Sequence, residues 1–237
     1  MRVQKYDTPL RHCNYLPGKT MHMVYGQVEE LSSEEYLWLI NQRWRRFGYL
    51  LFRPECPSCN ACEPIRVPVR EYKPNRNQRR IIKHNSELLR LEIGRPKIDE
   101  EHVRLYVAHH NHHSETRDWQ STDANSALQS ILNFTVSPLP VLEWAYYLAD
   151  ELVAVAYVDQ LPDGFSGIYF YHSPAHRHLS LGNWICISMI LKAKEMNFDY
   201  IYFGYYVEGN ISMEYKASFA PNQILQADGT WDYFRKD

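Results

Sequence analysis

The chain has 237 residues, of which 45% are hydrophobic and 23% are charged, and its formal net charge is −2. This composition is typical of a globular protein that buries the core of one large domain or two modest ones. No apolar run approaches the roughly 18 to 20 residues of a membrane span, and the first residues lack the apolar centre of a secretory signal. We therefore exclude a membrane protein and expect a cytoplasmic one.

The first predicted helix begins after a capping serine. Ser32 lies three residues before Glu35, and apolar residues then recur at helical spacing: Leu37, Ile40, Trp44 and Phe47. We predict that this helix ends at Gly48. A second helix is predicted after Asn75, as far as Leu89, and the rest of the chain up to about residue 90 is expected to be irregular.

Three cysteines lie two residues apart in the segment CPSCNAC, residues 56–62. Two-residue spacers suit thiolate ligands of one metal centre, and clustered cysteines in a cytosolic protein more often hold metal than form disulfides. A tetrahedral site needs a fourth ligand, and Cys13 is the best candidate. We predict a metal site at Cys13, Cys56, Cys59 and Cys62, filled by zinc or an iron–sulfur cluster, with free thiols as the alternative. The fifth cysteine, Cys186, is expected in the core.

A basic stripe follows the cysteines. Between Pro64 and Asn85 seven basic residues and one acidic residue, Glu71, give a charge of seven minus one, or +6. On a near-neutral chain such a stripe favours a polyanionic partner, most simply nucleic acid. A solvated charged face is the alternative. The binding candidates in this stripe are Arg66, Arg76, Arg79 and Arg80.

The remainder of the chain, after a boundary at Gly94-Arg95-Pro96, has an α+β pattern. We predict a helix from Glu100 to His113, strands at 141–149, 152–160 and 166–173, a helix at 181–196 and a strand at 198–204. Four histidines near the end of the first of these helices are interpreted as a solvated surface: His109, His110, His112 and His113. The predicted domains are a Cys- and Arg-rich N-terminal region (1–95) and a C-terminal domain (96–237).

The loop before the helix at 181 is predicted to bind an anion. Arg177, Ser180 and Gly182 lie where a helix N-terminus exposes backbone N–H groups. The strand–loop–helix pattern resembles the GNAT acyltransferase superfamily, in which the corresponding loop holds the pyrophosphate of acetyl-CoA. The resemblance implies a GNAT-like domain with a mixed sheet flanked by helices, and it leaves an acetyl-CoA-dependent acetyltransferase as one alternative.

Near the C-terminus, several aromatic residues lie close in sequence to a lysine. Tyr205 belongs to YFGYYV, and Lys216 belongs to MEYKASFAP. Rings beside a lysine can stack a base or line an apolar substrate pocket, and core packing is the alternative. We keep Tyr205 and Lys216 as binding candidates.

Four stretches together resemble one family: HCNYLP (12–17), the segment 45–80 that contains RPECPSCNACEPIRVPV, SLGNW (180–184) and YFGYYV…MEYKASFAP (202–221). They are similar to the bacterial branch of the arginyl-tRNA–protein transferases, whose members are aspartate/glutamate leucyltransferases. The resemblance implies transfer of leucine from leucyl-tRNA to the α-amine of proteins that begin with Asp or Glu, which marks them for degradation. Eukaryotic members imply an iron–sulfur cluster at N-terminal cysteines.

This reaction needs little chemical assistance. An aminoacyl ester is already activated, and an α-amine has a pKa of about 8, so we expect positioning to dominate and no cofactor to be required. We predict that Asp159 or His172 takes the amine proton, and that Tyr171 or backbone N–H groups near Gly182 stabilise the oxyanion. Two further alternatives stay open: transfer from arginyl-tRNA, and a non-catalytic, metal-containing RNA-binding module.

Overall fold

The computed structural model describes residues 3–117 and 119–235. The helices are α1 (Ser33–Asn41), α2 (Arg76–Leu88), α3 (Glu100–Thr116), α4 (Ala124–Thr135), α5 (Leu181–Glu195) and α6 (Ile211–Glu214). The strands are β1 (Val3–Asp7), β2 (Arg11–His12), β3 (Thr20–Met21), β4 (Met23–Val28), β5 (Arg45–Phe47), β6 (Leu50–Pro54), β7 (Glu63–Pro68), β8 (Leu89–Gly94), β9 (Val141–Leu148), β10 (Glu151–Leu161), β11 (Gly164–His172), β12 (Tyr200–Tyr206), β13 (Asn222–Leu225) and β14 (Trp231–Arg235). Short 3-10 helices occupy Pro174–Leu179 and Tyr215–Ser218.

An eight-stranded mixed sheet organises the chain in the order β14-β13-β7-β12-β11-β10-β9-β8. Its neighbouring strands pair antiparallel except β11 and β12, which are parallel because α5 connects them. Alternate residues of β10 face opposite sides: Ala154 and Ala156 join a core with α2 and α5, whereas Val155 and Tyr157 join a core with α3 and α4. The predicted α+β class, with a mixed sheet flanked by helices, is confirmed.

The N-terminal region is more regular than its sequence indicated. Four strands form a second sheet in the order β1-β4-β6-β5, against which α1 packs its buried residues. The capping box of Ser32 and Glu35 is present, but the predicted end of the helix at Gly48 is wrong. The chain reverses at Arg43, whose φ is 68°, so the residues that follow form β5 instead of another helical turn.

The predicted boundary at residue 95 does not separate two sheets. Strand β7 lies between β12 and β13, and β8 forms the far edge of the same eight-stranded sheet. Helix α2 packs beside α5, and Asn85 donates a 2.7 Å hydrogen bond to the carbonyl of Leu179, just before α5. The C-terminal end of α2 is therefore held next to the N-terminus of α5, while its first turn is held to the 3-10 helix at Tyr215–Ser218 by a 3.0 Å bond from Gln78 to the carbonyl of Ser218.

Most predicted elements of the second half are confirmed, with shifts of a few residues at their ends. The helices at 100 and 181 and the three antiparallel strands are present, as is the helix predicted after Asn75 in the N-terminal region, while the last predicted strand begins at Tyr200 instead of Phe198. Helix α4 and strands β13 and β14 were not predicted. In the ranges 3–117 and 119–235, no helix is both long and apolar enough to cross a membrane.

Candidate active site

The parallel strands β11 and β12 part soon after they begin. They pair only through three positions, the last being Ser166 opposite Tyr202, although β11 continues to His172 and β12 to Tyr206. A bulge in β12 accompanies the separation, and Gly204 there has a φ of 78°, a conformation that glycine adopts without steric cost. We call the space between residues 167–172 and 203–206 the strand fork.

Arg45 of β5 lies at the apex of the strand fork. Its Nη2 donates a 2.8 Å hydrogen bond to the carbonyl of Gly167 on β11. On β12, a Cβ added to Gly204 would lie 3.6 Å from Nε of Arg45. The guanidinium therefore contacts both diverging strands, although only 7% of the residue is exposed.

A second cation, Lys216, lies behind β12. Its Nζ donates a 2.6 Å hydrogen bond to the carbonyl of Tyr205 and contacts the sulfur of Met213 at 3.1 Å. Burial, and then the positive charge of Arg45, lower the pKa of Lys216 to about 7. Tyr205 itself is buried, and its hydroxyl donates to the carbonyl of Arg43 at 2.5 Å.

The N-terminus of α5 meets the end of β11 beside the strand fork. Ser180 has a φ of 52° and makes no side-chain capping bond, so the first N–H groups of α5 lack a capping side chain. A Cβ on Gly182 would lie 3.5 Å from Nε2 of His172. The structure thus places Gly182 and His172, two predicted site residues from different segments, next to each other.

His172 is one of several packed histidines, which corrects the interpretation of the α3 histidines as a solvated surface. His109 is 4% exposed, and its ring centroid lies 4.7 Å from that of His172 and 4.5 Å from that of His113. Trp119 packs edge-to-face against His109 and at a tilt against His113. Burial lowers the pKa of His109 to about 2, with the neighbouring histidines adding to the effect.

The ring of His172 is held neutral in this cluster. Burial lowers its pKa to about 4, and its Nδ1 is buried without a hydrogen-bond partner in the described residues. Its backbone contacts Nδ1 of His109 at 3.2 Å. Periodicity alone could not have revealed this contact, because the two histidines lie on different elements.

The other two predicted catalytic side chains do not face the strand fork. Asp159 has no exposed surface and forms an ion pair with Arg46, including a 3.2 Å bond from Nε; burial raises the pKa of Asp159 against the opposing effect of Arg46. Tyr171 is also fully buried, and its hydroxyl bonds that of Tyr157 at 3.0 Å. Both groups are already satisfied inside the protein.

The predicted binding arginines divide into two sets. Arg76, Arg79 and Arg80 are exposed on α2, and Arg177 is exposed just before α5. Arg66 instead lies at the paired end of the strands, 3.7 Å from the ring centroid of Tyr200 and 4.4 Å from that of Trp231. Its Nε donates to Gln223 at 2.8 Å, so Arg66 is held within the sheet.

The four cysteines of the predicted metal site border one cavity of about 430 Å³. Cys13 accepts N–H bonds from Tyr15 and Leu16, each at 3.4 Å, and Cys56 accepts one from His22 at 3.5 Å. Across residues 3–117 and 119–235, however, no group of three or more His, Cys, Asp or Glu is arranged to hold a metal ion. Cys186 is buried in the core, as predicted.

Comparison with known proteins assigns both halves of the chain to one family. Residues 11–80 match the description "Arginine-tRNA-protein transferase, N terminus", and residues 101–226 match "Arginine-tRNA-protein transferase, C terminus". An aspartate/glutamate leucyltransferase of Campylobacter jejuni (strain 81116) is 36% identical over 95% of this chain and 93% of its own. The corresponding protein of Nitrosococcus oceani is 33% identical over 98% and 96%.

Solved structures add only distant similarities. The C-terminal domain of a putative lysylphosphatidylglycerol synthetase from Agrobacterium fabrum has a TM-score of 0.47 and 12% identity, and covers 82% of this chain and 61% of its own. FemX has a TM-score of 0.45 and 8% identity, and covers 88% and 80%. Neither score reaches 0.5, so no conclusion about fold family or function rests on them.

Proposed function

The chain belongs to the arginine-tRNA-protein transferase family, and we propose that it transfers leucine from leucyl-tRNA to the α-amine of proteins that begin with Asp or Glu. Its bacterial relatives are named for that leucyl transfer. The acceptor would thereby be marked for degradation. Because charged tRNA is a cytoplasmic donor, we place the reaction in the cytoplasm.

One observation carries the proposal at the level of the site: a strand fork beside an uncapped helix N-terminus, in a chain of this family. A parallel pair that parts in this way is the arrangement expected of a GNAT-like acyltransferase domain, and we propose that fold relationship here. Half-buried Phe170 on β11, whose ring would lie 3.8 Å from a Cβ on Gly182, offers an apolar contact for a leucyl side chain. The 3′ end of the tRNA would then place its ester next to Gly182 and His172.

Positioning of the ester and the acceptor amine then supplies most of the rate enhancement. The acceptor amine, with a pKa of about 8, is partly neutral at physiological pH and attacks an ester that is already activated. The C–N bond forms as the ester C–O bond breaks, and the 3′ hydroxyl of the tRNA leaves with a proton. Backbone N–H groups near Gly182 would stabilise the oxyanion, and His172, neutral at pH 7, would take the amine proton.

The basic face of α2 would bind the body of the tRNA. Arg76, Arg79 and Arg80 are exposed there, with Lys83 one turn further on. Their side-chain hydrogen bonds within the protein go to neutral groups, such as that from Arg79 to the carbonyl of Pro74 at 2.7 Å. Exposed cations that have no carboxylate partner among the described residues are suited to phosphates, and α2 carries them on its exposed face while its last turns pack beside the start of α5.

The cysteine cavity would hold zinc or an iron–sulfur cluster. Cys13, Cys56, Cys59 and Cys62 would be its ligands, and backbone N–H groups already point at two of these sulfurs, as suits thiolates. The sulfur atoms would have to move closer together, because their present arrangement does not form a ligand set. The group would supply a cross-link between the N-terminal strands and β7, and no step of the transfer needs it.

A direct assay tests the proposal. Purified protein is incubated with a peptide that begins with Asp and with leucyl-tRNA or arginyl-tRNA, and the mass of the peptide is followed. Gain of leucine alone is the expected result. Gain of arginine would change the donor but not the reaction, and transfer from acetyl-CoA would support the acetyltransferase alternative. Binding of tRNA without transfer of either residue, from metal-replete protein, would favour the RNA-binding module.

A further inference from the structure

Two adjacent arginines of β5 have opposite surroundings. The guanidinium of Arg46 has partners within the protein: it forms an ion pair with Asp159, contacts Ser137, and donates to the carbonyl of Gly48 at 3.0 Å. The side chain of Arg45 makes one hydrogen bond within the described residues, from Nη2 to Gly167. Because a guanidinium carries five N–H donors, most of the donors of Arg45 have no partner in that part of the chain.

The charge of Arg45 is also unneutralised. Asp159 is the carboxylate in its vicinity, since it and Arg45 affect each other electrostatically, but both oxygens of Asp159 already contact Arg46. The described part of the chain provides no ion pair for Arg45 or for Lys216. The apex of the strand fork therefore holds a nearly buried guanidinium. A second buried basic group, Lys216 of the 3-10 helix at Tyr215–Ser218, lies behind β12 and is hydrogen-bonded to it.

A buried cation without an anionic partner is energetically unfavourable. An anionic ligand bound here would be stabilised by the ion pair and hydrogen bonds that the protein itself does not form with Arg45. A planar guanidinium binds carboxylate through two parallel N–H bonds, which adds geometric selectivity. The donor does not fit this requirement: its side chain is aliphatic, and its own α-amino group would be repelled by the cations. Phosphates of the tRNA body are better matched by the exposed face of α2.

Building on the proposed function, we infer that Arg45 binds the side-chain carboxylate of the N-terminal Asp or Glu of the acceptor. Arg45 is then a specificity-determining residue of the transfer reaction. An N-terminal Asn or Gln has similar size but leaves the guanidinium without an anion, so it is rejected. The bond to Gly167 fixes the guanidinium where the two strands part, beside the path of the donor ester.

The test compares Arg45→Gln and Arg45→Lys with wild type in leucyl transfer to a peptide that begins with Asp. We expect the KM for the peptide to rise at least 20-fold in Arg45→Gln and about 5-fold in Arg45→Lys, because lysine keeps the charge and loses the bidentate geometry. The affinity for leucyl-tRNA, measured by filter binding, should stay within 3-fold of wild type in both variants. Arg104→Ala, which changes an exposed arginine on α3, is the matched control and should leave both quantities unchanged.

The outcomes separate the inference from the function on which it rests. A peptide KM within 3-fold of wild type in Arg45→Gln, or a parallel loss of leucyl-tRNA affinity, overturns the role of Arg45 alone. If thermal melting shows that Arg45→Gln does not fold, the 5-fold rise in Arg45→Lys decides, and its absence overturns the role. If wild-type protein transfers no leucine to the peptide, the proposed function is wrong and the inference falls with it.

Discussion

Arg46 and Asp159 form an ion pair in which neither side chain has any exposed surface. The two residues are 113 positions apart in the chain, and the pair joins the N-terminal four-stranded sheet to β10. A buried pair of this kind holds its partners in register, because either charge left alone inside the protein would be strongly unfavourable. It also directs the neighbouring Arg45 toward the strand fork.

We expect Asp159→Asn to lower the free energy of unfolding by about 3 to 5 kcal/mol, because Arg46 would stay buried without its anion. Urea unfolding measures this. The exposed pair of Arg53 and Glu55 is the control, and Glu55→Gln should cost less than about 1 kcal/mol. Wild-type stability together with abolished transfer would instead restore Asp159 as a catalytic base.

His172→Gln should lower kcat by about 10²-fold or more if His172 takes the amine proton. Because burial keeps the pKa of His172 near 4, titration of this histidine should cause no change in the wild-type rate between pH 5 and 8. The rate should instead rise with pH toward the acceptor pKa of about 8. A pH–rate profile measures both effects, with His178→Gln, an exposed histidine, as control. Unchanged kcat in His172→Gln would remove the base role.

The paired substitution Arg79→Ala and Arg80→Ala should weaken tRNA binding and flatten its salt dependence. For every phosphate that an arginine no longer neutralises, the slope of log K against log salt should fall by about 0.7 to 0.9. Arg90→Ala provides a control, because Arg90 is exposed but paired with Glu92. A slope equal to that of wild type would mean that tRNA binds elsewhere.

Stability should fall as the pH is lowered from 7 to 5, in part through His109. Burial holds the folded-state pKa of His109 near 2, whereas the unfolded value is about 6.5. The unfolded chain therefore binds the extra proton, and this one group should cost about 2 kcal/mol over that interval. Urea unfolding of wild type and His109→Phe at both pH values tests this. An equal pH-dependent decrease in the two proteins would contradict it.

Anaerobically purified protein should contain zinc or iron, and Cys59→Ser should lose most of it. Cys59 lines the shared cavity, whereas Cys186 is buried in the core. Cys186→Ser is thus the matched control and should keep its metal. Metal analysis by mass spectrometry decides; a wild-type protein with neither metal and full transfer would leave the four cysteines as packing thiols.

The sequence by itself determined the features that depend on residues close together in the chain. The capping box of Ser32 with Glu35 marked one helix start correctly, since a cap involves residues only three positions apart, and the helix predicted after Asn75 begins at Arg76. Strand-like apolar runs separated by turn residues marked β9 to β11. The exposed arginines of α2 were also recognisable, because their charge is a property of one short segment.

Tertiary structure alone decided which polar groups are buried and which remain unpaired. Arg45 and Arg46 are neighbours of the same type, yet one is neutralised by a carboxylate 113 positions away and the other contacts a carbonyl 122 positions away. His109 became part of a buried cluster because the end of β11 packs against α3. Such contacts form because elements distant in the chain pack into one core. The free energy of that packing depends on tertiary contacts, so the spacing of neighbouring residues in the sequence does not reveal it.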